Sequence, residues 1–410
     1  MKKITLLFVI LLVLSSSSLF AQFSISGLAD FELRHAGDDS SPYINQTPGK
    51  GWAMFTPNLR IIMNGDISDS WFVSAVLQAD HYEGKKLSDP FFSVFNINWT
   101  PNLESDLLLT FGRFVIPYGS YSSRFLSFDN PFVHLPLSHA SGLPLTKKFG
   151  FIGMGRFSPW ALIDFYQQNE PGATIVYQRM YTQGLLVSHA FGEEDRIRAK
   201  IAATHAPASS HLDYGQGENF ALTGRLEVQP VVWATLGLSA SRGTFLQNSA
   251  SNDSLMIYDL SSYNQELMGA DLSLNYQYYT LNVEWNQSFW KAPYYSWQTS
   301  TQTSPRTGKA TIDHYSMELI YDTPFLVGAH LAIRYEHINE GEIEIYERDS
   351  ANLKINQTVG DFTYARTRTE ITAGYKLDRN IILKGSYLIS SDNGPDLDDN
   401  VFAIQLSVLF

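Results

Sequence analysis

The chain has 410 residues, no cysteine and a formal net charge of −12, with 17% charged and 14% aromatic residues. The missing cysteine excludes a disulfide framework and a thiol-anchored lipoprotein, and the acidic balance argues against nucleic acid as a partner. Charge below the roughly 25% of an average soluble domain, with no apolar run near 18 residues past the start, leaves a large soluble β-protein or a transmembrane β-barrel.

The start, MKKITLLFVILLVLSSSSLFAQ, has two lysines, an apolar stretch too short to span a bilayer, and then small residues. It reads as a signal peptide over 1–21, cleaved after Ala21, and the rest as one domain, 22–410. From there apolar and polar residues alternate with period two, the signature of strands with one apolar face. The predicted strands are 23–34, 52–65, 70–82, 91–100, 106–116, 148–157, 160–168, 184–192, 195–205, 218–229, 232–242, 265–277, 279–291, 311–321, 325–338, 362–376, 380–391 and 400–410. Tight turns such as GDISDS, PNLESD, GEED, QYY and DRN alternate with long polar connections such as AGDDSSPYINQTPGKG. A soluble sandwich has no reason to sort its connections by length. The expected fold is all-β: a closed antiparallel transmembrane β-barrel of 18 strands, with short periplasmic turns and long extracellular loops. The stretch 169–183, which contains ATIVYQRM, leaves the count open, and 16 strands is the alternative.

The strand faces agree with outer-membrane lipid as the surrounding solvent. Trp71, Val73, Ala75 and Leu77 share a face opposite Ser74, Gln78 and Asp80, and Leu281, Val283 and Trp285 oppose Asn282, Glu284 and Asn286. A dry interior could not hold so many ionisable groups, whereas a water-filled lumen can. Trp52, Trp71, Trp99, Trp160, Tyr276, Tyr278, Tyr279 and Tyr321 fall near segment ends, where interfacial girdles sit. The last strand, VFAIQLSVLF, must close against the first so that no edge faces lipid.

The longest connection is Pro-rich and aromatic-rich, unlike a flexible tether. Its central part, 117–147, is expected either to fold into the lumen and set a constriction or to cap the barrel outside. Folded inward, it would offer Arg124, Asp129, His134, His139, Lys147 and Lys148 to the pore. Strand parity adds Arg196, Arg198, Lys200, Arg225, Arg334, Arg366, Arg368 and Glu370 as candidate pore-lining residues, with Arg60 and Lys384 also facing inward. Asp30, Glu32, Asp164, Glu227, Asp271, Glu284, Glu318 and Glu336 oppose them. The lumen reads as mixed and slightly basic. Such cations either concentrate anions or brace the wall in ion pairs with the facing carboxylates.

The segment FGRFVIPYGSYSSRF resembles the strand-to-loop motif of the phosphate-selective porin O and P family. The FAQ at the end of the leader is similar to those of Bacteroidota exports, and Phe410 matches the terminal aromatic residue read by the barrel-assembly machinery. The resemblance implies passive diffusion through an outer-membrane channel, with a leaning toward anions. Porin trimers are common, so a homotrimer is a candidate assembly.

Enzymatic readings are weak. His205, His211 and Asp213 share a predicted loop with Ser209 and Ser210, and solvated loop residues explain them as well as a hydrolase rim site does. No metal or nucleotide motif occurs. Asp392, Asp396, Asp398 and Asp399 are oxygen donors without EF-hand spacing, so a loop-bound calcium stays open. The expected function is a porin-like channel for small hydrophilic solutes, without a cofactor. The alternatives are a substrate-specific channel for sugars or apolar compounds, or a receptor or rim hydrolase with a blocked lumen.

Overall fold

The computed structural model describes residues 23–40, 50–81, 88–102, 106–140, 142–146, 150–153, 172–209, 220–246, 262–296, 306–348, 355–393 and 397–410. The expected leader, Trp160, Asp164, Lys147, Lys148, Ser210, His211, Asp213 and Asp396 lie outside them.

The strands, in chain order, begin with β1 (Phe23–Ala36), β2 (Gly51–Phe55), β3 (Asn58–Ser68), β4 (Trp71–Asp80), β5 (Phe91–Trp99) and β6 (Leu108–Val115). Next come β7 (Leu145–Thr146), β8 (Gly150–Gly153), β9 (Tyr181–Phe191), β10 (Ile197–Thr204), β11 (Ala221–Val231), β12 (Ala234–Gly243) and β13 (Gln265–Tyr276). The rest are β14 (Tyr279–Ser296), β15 (Arg306–Asp322), β16 (Ala329–Ile338), β17 (Glu342–Arg348), β18 (Ile355–Asp361), β19 (Arg366–Asp378), β20 (Ile381–Asp392) and β21 (Val401–Leu409).

Each wall strand pairs antiparallel with its neighbours, and β1 pairs with β21 to close the ring. β2 and β3 occupy one wall position, because both pair with β1 and only Thr56 and Pro57 separate them. Proline has no amide to give the ladder. The wall therefore has 16 strands, the second of the two expected counts. The difference is local. β6 pairs directly with β9, so the predicted strands 148–157 and 160–168 have no place in the ring. Of the first, Gly150–Gly153 forms the short β8, which pairs with β7 and runs parallel to the end of β14. The second lies outside the described residues. A further hairpin, β17 and β18, extends the sheet beside β15.

β16 shows why this sequence forms this wall. His330, Ala332, Arg334, Glu336 and Ile338 face inward and are buried, while Leu331, Ile333 and Tyr335 face outward at 54%, 43% and 47% exposure. In a soluble protein the apolar face would be the covered one. Here it is bare and the charged face is covered, the arrangement lipid stabilises and water does not. β21 repeats it, with Ala403, Gln405 and Ser407 inside and Ile404 outside. Near the short-turn end, Trp71 stacks on Trp99 and Tyr279 on Tyr321.

The seam is closed without loose ends. The Phe410 amide donates to the Gly27 carbonyl, and the Gly27 amide donates back. The Phe410 ring lies over Gly27, where an added Cβ would come within 2.4 Å of it.

A second packing region lies inside the ring. Ile116, Tyr118, Leu137, Leu145, Phe151, Ile175 and Phe245 from the connections pack on Leu267, Trp290, Ile312 and Ile338 of the wall. Those wall residues belong to β13, β14, β15 and β16. This is an ordinary dry core, and at roughly 25 cal/mol per Å² of apolar surface it binds the connection to that side.

Candidate functional site: the barrel interior

Inward charges on β15, β16 and β19 are set opposite one another by register. Glu318 pairs with Arg334, Arg334 with Glu370, and Glu336 with Arg368. Cross-strand neighbours of opposite charge attract. Here they form a lattice: Arg334 lies 2.6 Å from Glu370, 3.2 Å from Glu336 and 3.7 Å from Glu318, and Arg368 lies 3.1 Å from Glu336. Arg334 has no exposed surface.

The connection after β6 is tied to this lattice through its backbone. The amides of Val133 and His134 donate to Glu370 at 3.1 and 3.2 Å, and the Leu137 amide donates to Glu336 at 2.7 Å. Arg334 donates to the His134 carbonyl at 2.8 Å, and Arg368 to the Leu135 carbonyl. His134 Nδ1 donates to Glu370 at 2.9 Å. The Lys384 ammonium donates to the carbonyls of Ser127, Asn130 and Phe132, at 2.7, 3.1 and 3.3 Å. Further back, Arg124 pairs with Glu318, the Ser120 amide donates to Glu284 at 3.0 Å, and Tyr118 donates to Asn286 at 2.9 Å. Backbone polar groups leaving water need such partners, and the wall supplies them.

Burial governs titration in this connection. It pushes the His139 imidazole down to about 4, against the pull of Glu284, and the Tyr121 hydroxyl up to about 12. It also lowers His134, against the pull of Glu370.

The other expected residues separate into groups. Arg225 is held by Asp271 through two hydrogen bonds of 2.6 and 3.0 Å and by Glu227 at 3.1 Å. It reaches Asp271 across β12 because Gly237 stands between, where a Cβ would come within 2.6 Å of both side chains. Arg366 binds Asp392 at 2.5 and 2.7 Å near the far end of β19. Arg196 pairs locally with Glu194 at 2.5 Å. Arg198 and Lys200 stand in register with Glu227 and Arg225. Arg124, Arg334, Arg368 and Glu370 are thus brought together, while Arg196, Arg198, Lys200 and Arg366 stand apart from them. His205 reaches the Gln183 carbonyl at 3.2 Å. Among the described residues no group of three His, Asp or Glu side chains is arranged to hold a metal.

Further round the ring, past β20 and β21, the connection leaves space. A cavity of about 130 Å³ is lined by Asp30, Arg60 and Asp80 of the wall, by Phe125 and Phe132, and by Arg179. Arg179 pairs with Asp80 at 2.8 Å, and Ser127 donates to Asp30 at 2.5 Å. Strand parity set Arg60 and Asp30 inward but did not single them out. Arg179 carried no sequence signal, because it lies between strands.

No protein-family model matches the sequence, and comparison with curated proteins finds no match. The fold is similar to solved outer-membrane barrels. A loop-deletion form of OmpT from Vibrio cholerae aligns with TM-score 0.56 at 9% identity, over 95% of this chain and 99% of that one. An anion-selective porin from Comamonas acidovorans gives 0.55 at 9%, over 95% and 99%. The outer membrane channel DcaP of Acinetobacter baumannii gives 0.55 at 10%, over 96% and 99%. OmpT is also known in a trimer form. The chain therefore shares the fold of these barrels, a closed antiparallel β-barrel.

Proposed function

We propose that this protein is a porin-like channel for passive diffusion of small hydrophilic solutes across the outer membrane, and not an enzyme. In this reading 117–147 is folded into the lumen as the constriction, held on the β15, β16 and β19 side, and solute passes along β1, β3 and β4. The observation that carries it is the asymmetry of the interior: backbone amides and carbonyls of the connection are satisfied by the wall from β16 to β20, while the next stretch of wall, β1, β3 and β4, retains a polar cavity. The candidate pore-lining set is then divided. Arg124, Arg334, Arg368 and Glu370 hold the constriction, Arg225 adjoins it through Ser239, which also accepts from the Gly119 amide, and Arg196, Arg198, Lys200 and Arg366 line the wall away from it. Lys147 and Lys148 stay candidates from the sequence alone.

The same reading includes kinship with the phosphate-selective porin O and P type of Bacteroidota, resting on FGRFVIPYGSYSSRF. It also includes export by the leader, recognition of Phe410 by the barrel-assembly machinery, and a homotrimer, the last supported by the trimer form of the similar OmpT. Conductance of purified protein in a planar bilayer under a salt gradient is the test. A steady open conductance is expected. A silent, correctly folded protein would turn the reading to a receptor or rim enzyme.

A further inference from the structure

Arg60 differs from the other buried inward arginines. It is 7% exposed and sits on β3, yet among the described residues its guanidinium has neither hydrogen bond nor ion pair. The Phe125 ring lies 4.8 Å from it. A buried charge without a partner is costly, and proteins retain one where a ligand supplies the partner. Asp30 and Asp80 attract Arg60 through space, but neither comes within ion-pair distance of it. Arg179 is paired with Asp80, and Arg34 with Glu32. Asp30 accepts from Ser127 and lies in the field of both Lys384 and Arg60. With Asp30, Lys384 and Arg60 counted together, one positive charge is left over.

The size and lining narrow the class. The cavity, about 130 Å³, is close to one that holds a benzene ring, roughly 150 Å³. Phe55, Phe125 and Phe132 line it beside the guanidinium. The lining is mixed, and a phosphate would bring more charge than the surplus and leave the rings beside it uncovered. A carboxylate on a flat apolar body matches both the fork of Arg60 and the rings.

We propose that Arg60 and Phe125 form a binding site for a small monocarboxylate with a planar apolar body, which makes Arg60 the residue that selects solutes in this channel. The site rests on the channel reading for its role in transport, but not for its occupancy.

The test uses benzoate as probe on the full-length folded protein, in two measurements. In a planar bilayer, benzoate is expected to block the wild-type current, and Arg60→Gln to need about tenfold more benzoate for the same block, the loss of one charge-assisted hydrogen bond. Phe125→Ala is expected to weaken benzoate block more than acetate block, and it serves in place of Arg60→Gln if that variant does not fold. Equal block of wild type and Arg60→Gln, or phosphate blocking as well as benzoate, would overturn the proposal. Calorimetric titration of benzoate into detergent-folded protein separates the two readings. Binding that depends on Arg60 without any wild-type conductance would sink the channel and keep the site. Conductance without benzoate binding would keep the channel and sink the site.

Discussion

The two sides of the interior solve the same problem in opposite ways. On the β15, β16 and β19 side, charges alternate between neighbouring strands and each finds its opposite, so Arg334 sits among three carboxylates with no exposed surface. On the β1, β3 and β4 side, Arg60 is almost as deeply covered and has no such partner among the described residues. One side spends its polar groups on fixing a connection. The other also holds the connection, through Ser127 on Asp30, but keeps the Arg60 guanidinium available. A count of inward arginines does not distinguish them, which is why charge inventories alone are poor guides to pore selectivity.

Removing one member of the ion-pair lattice should have the largest effect. Glu370→Ala removes one of the three carboxylates around Arg334 and the acceptor of His134 and two backbone amides, and is expected to cost about 3–5 kcal/mol, the usual penalty for breaking a buried ion pair. Urea unfolding followed by gel mobility would measure it, and a stability within about 0.5 kcal/mol of wild type would break the contrast between the two sides.

Acid should strike the same side next. His139 titrates at about 4 in the fold because burial disfavours its charged form, against an ordinary 6.5. The unfolded chain takes up that proton first. The stability gained by keeping His139 neutral is therefore complete above about 6.5 and lost as the pH falls toward 4. Asp399, raised to about 6 by burial, works with the opposite sign, adding stability as the pH falls below that value. The comparison is thus between wild type and His139→Gln, whose unfolding midpoint should fall less between pH 6.5 and 4. Parallel pH profiles for the two would remove His139 from the account.

At the seam beside the open side, Gly27→Val should cost about 1–3 kcal/mol, because the added carbons displace the Phe410 ring. Lower yield of the closed, heat-modifiable form is the readout, and an unchanged yield would mean the ring moves freely. The smallest effect is expected at Arg60. Since its charge has no pair to orphan, Arg60→Gln should change stability by less than about 1 kcal/mol while altering solute block. A loss as large as that of Glu370→Ala would show that Arg60 is structural after all.

Much of the wall was legible beforehand because period-two alternation is a local signal. Leu281, Val283 and Trp285 could be assigned to one face from their order alone. The strand count was not fixed in the same way. The segment 148–157 has the alternation of a wall strand, but β6 finds β9 as its neighbour, and the described part, Gly150–Gly153, forms a short strand inside the connection. Pairing partners are chosen by the closed ring and not by the segment itself. The interior followed the same rule: parity put Arg60, Arg225, Arg334 and Arg368 inside alike, and said nothing of who would meet them.

The sequence by itself determined a barrel with a lipid-facing exterior and a charged interior, because side-chain direction in a strand depends only on position along the chain. It also determined that the connection after β6 was too rich in proline and aromatics to be a simple tether. Only the tertiary structure decided which inward charges cancel and which remain, because register brings together residues tens to hundreds of positions apart. Glu370 meets His134 across 236 positions and Arg334 across 36, and no local pattern encodes either distance.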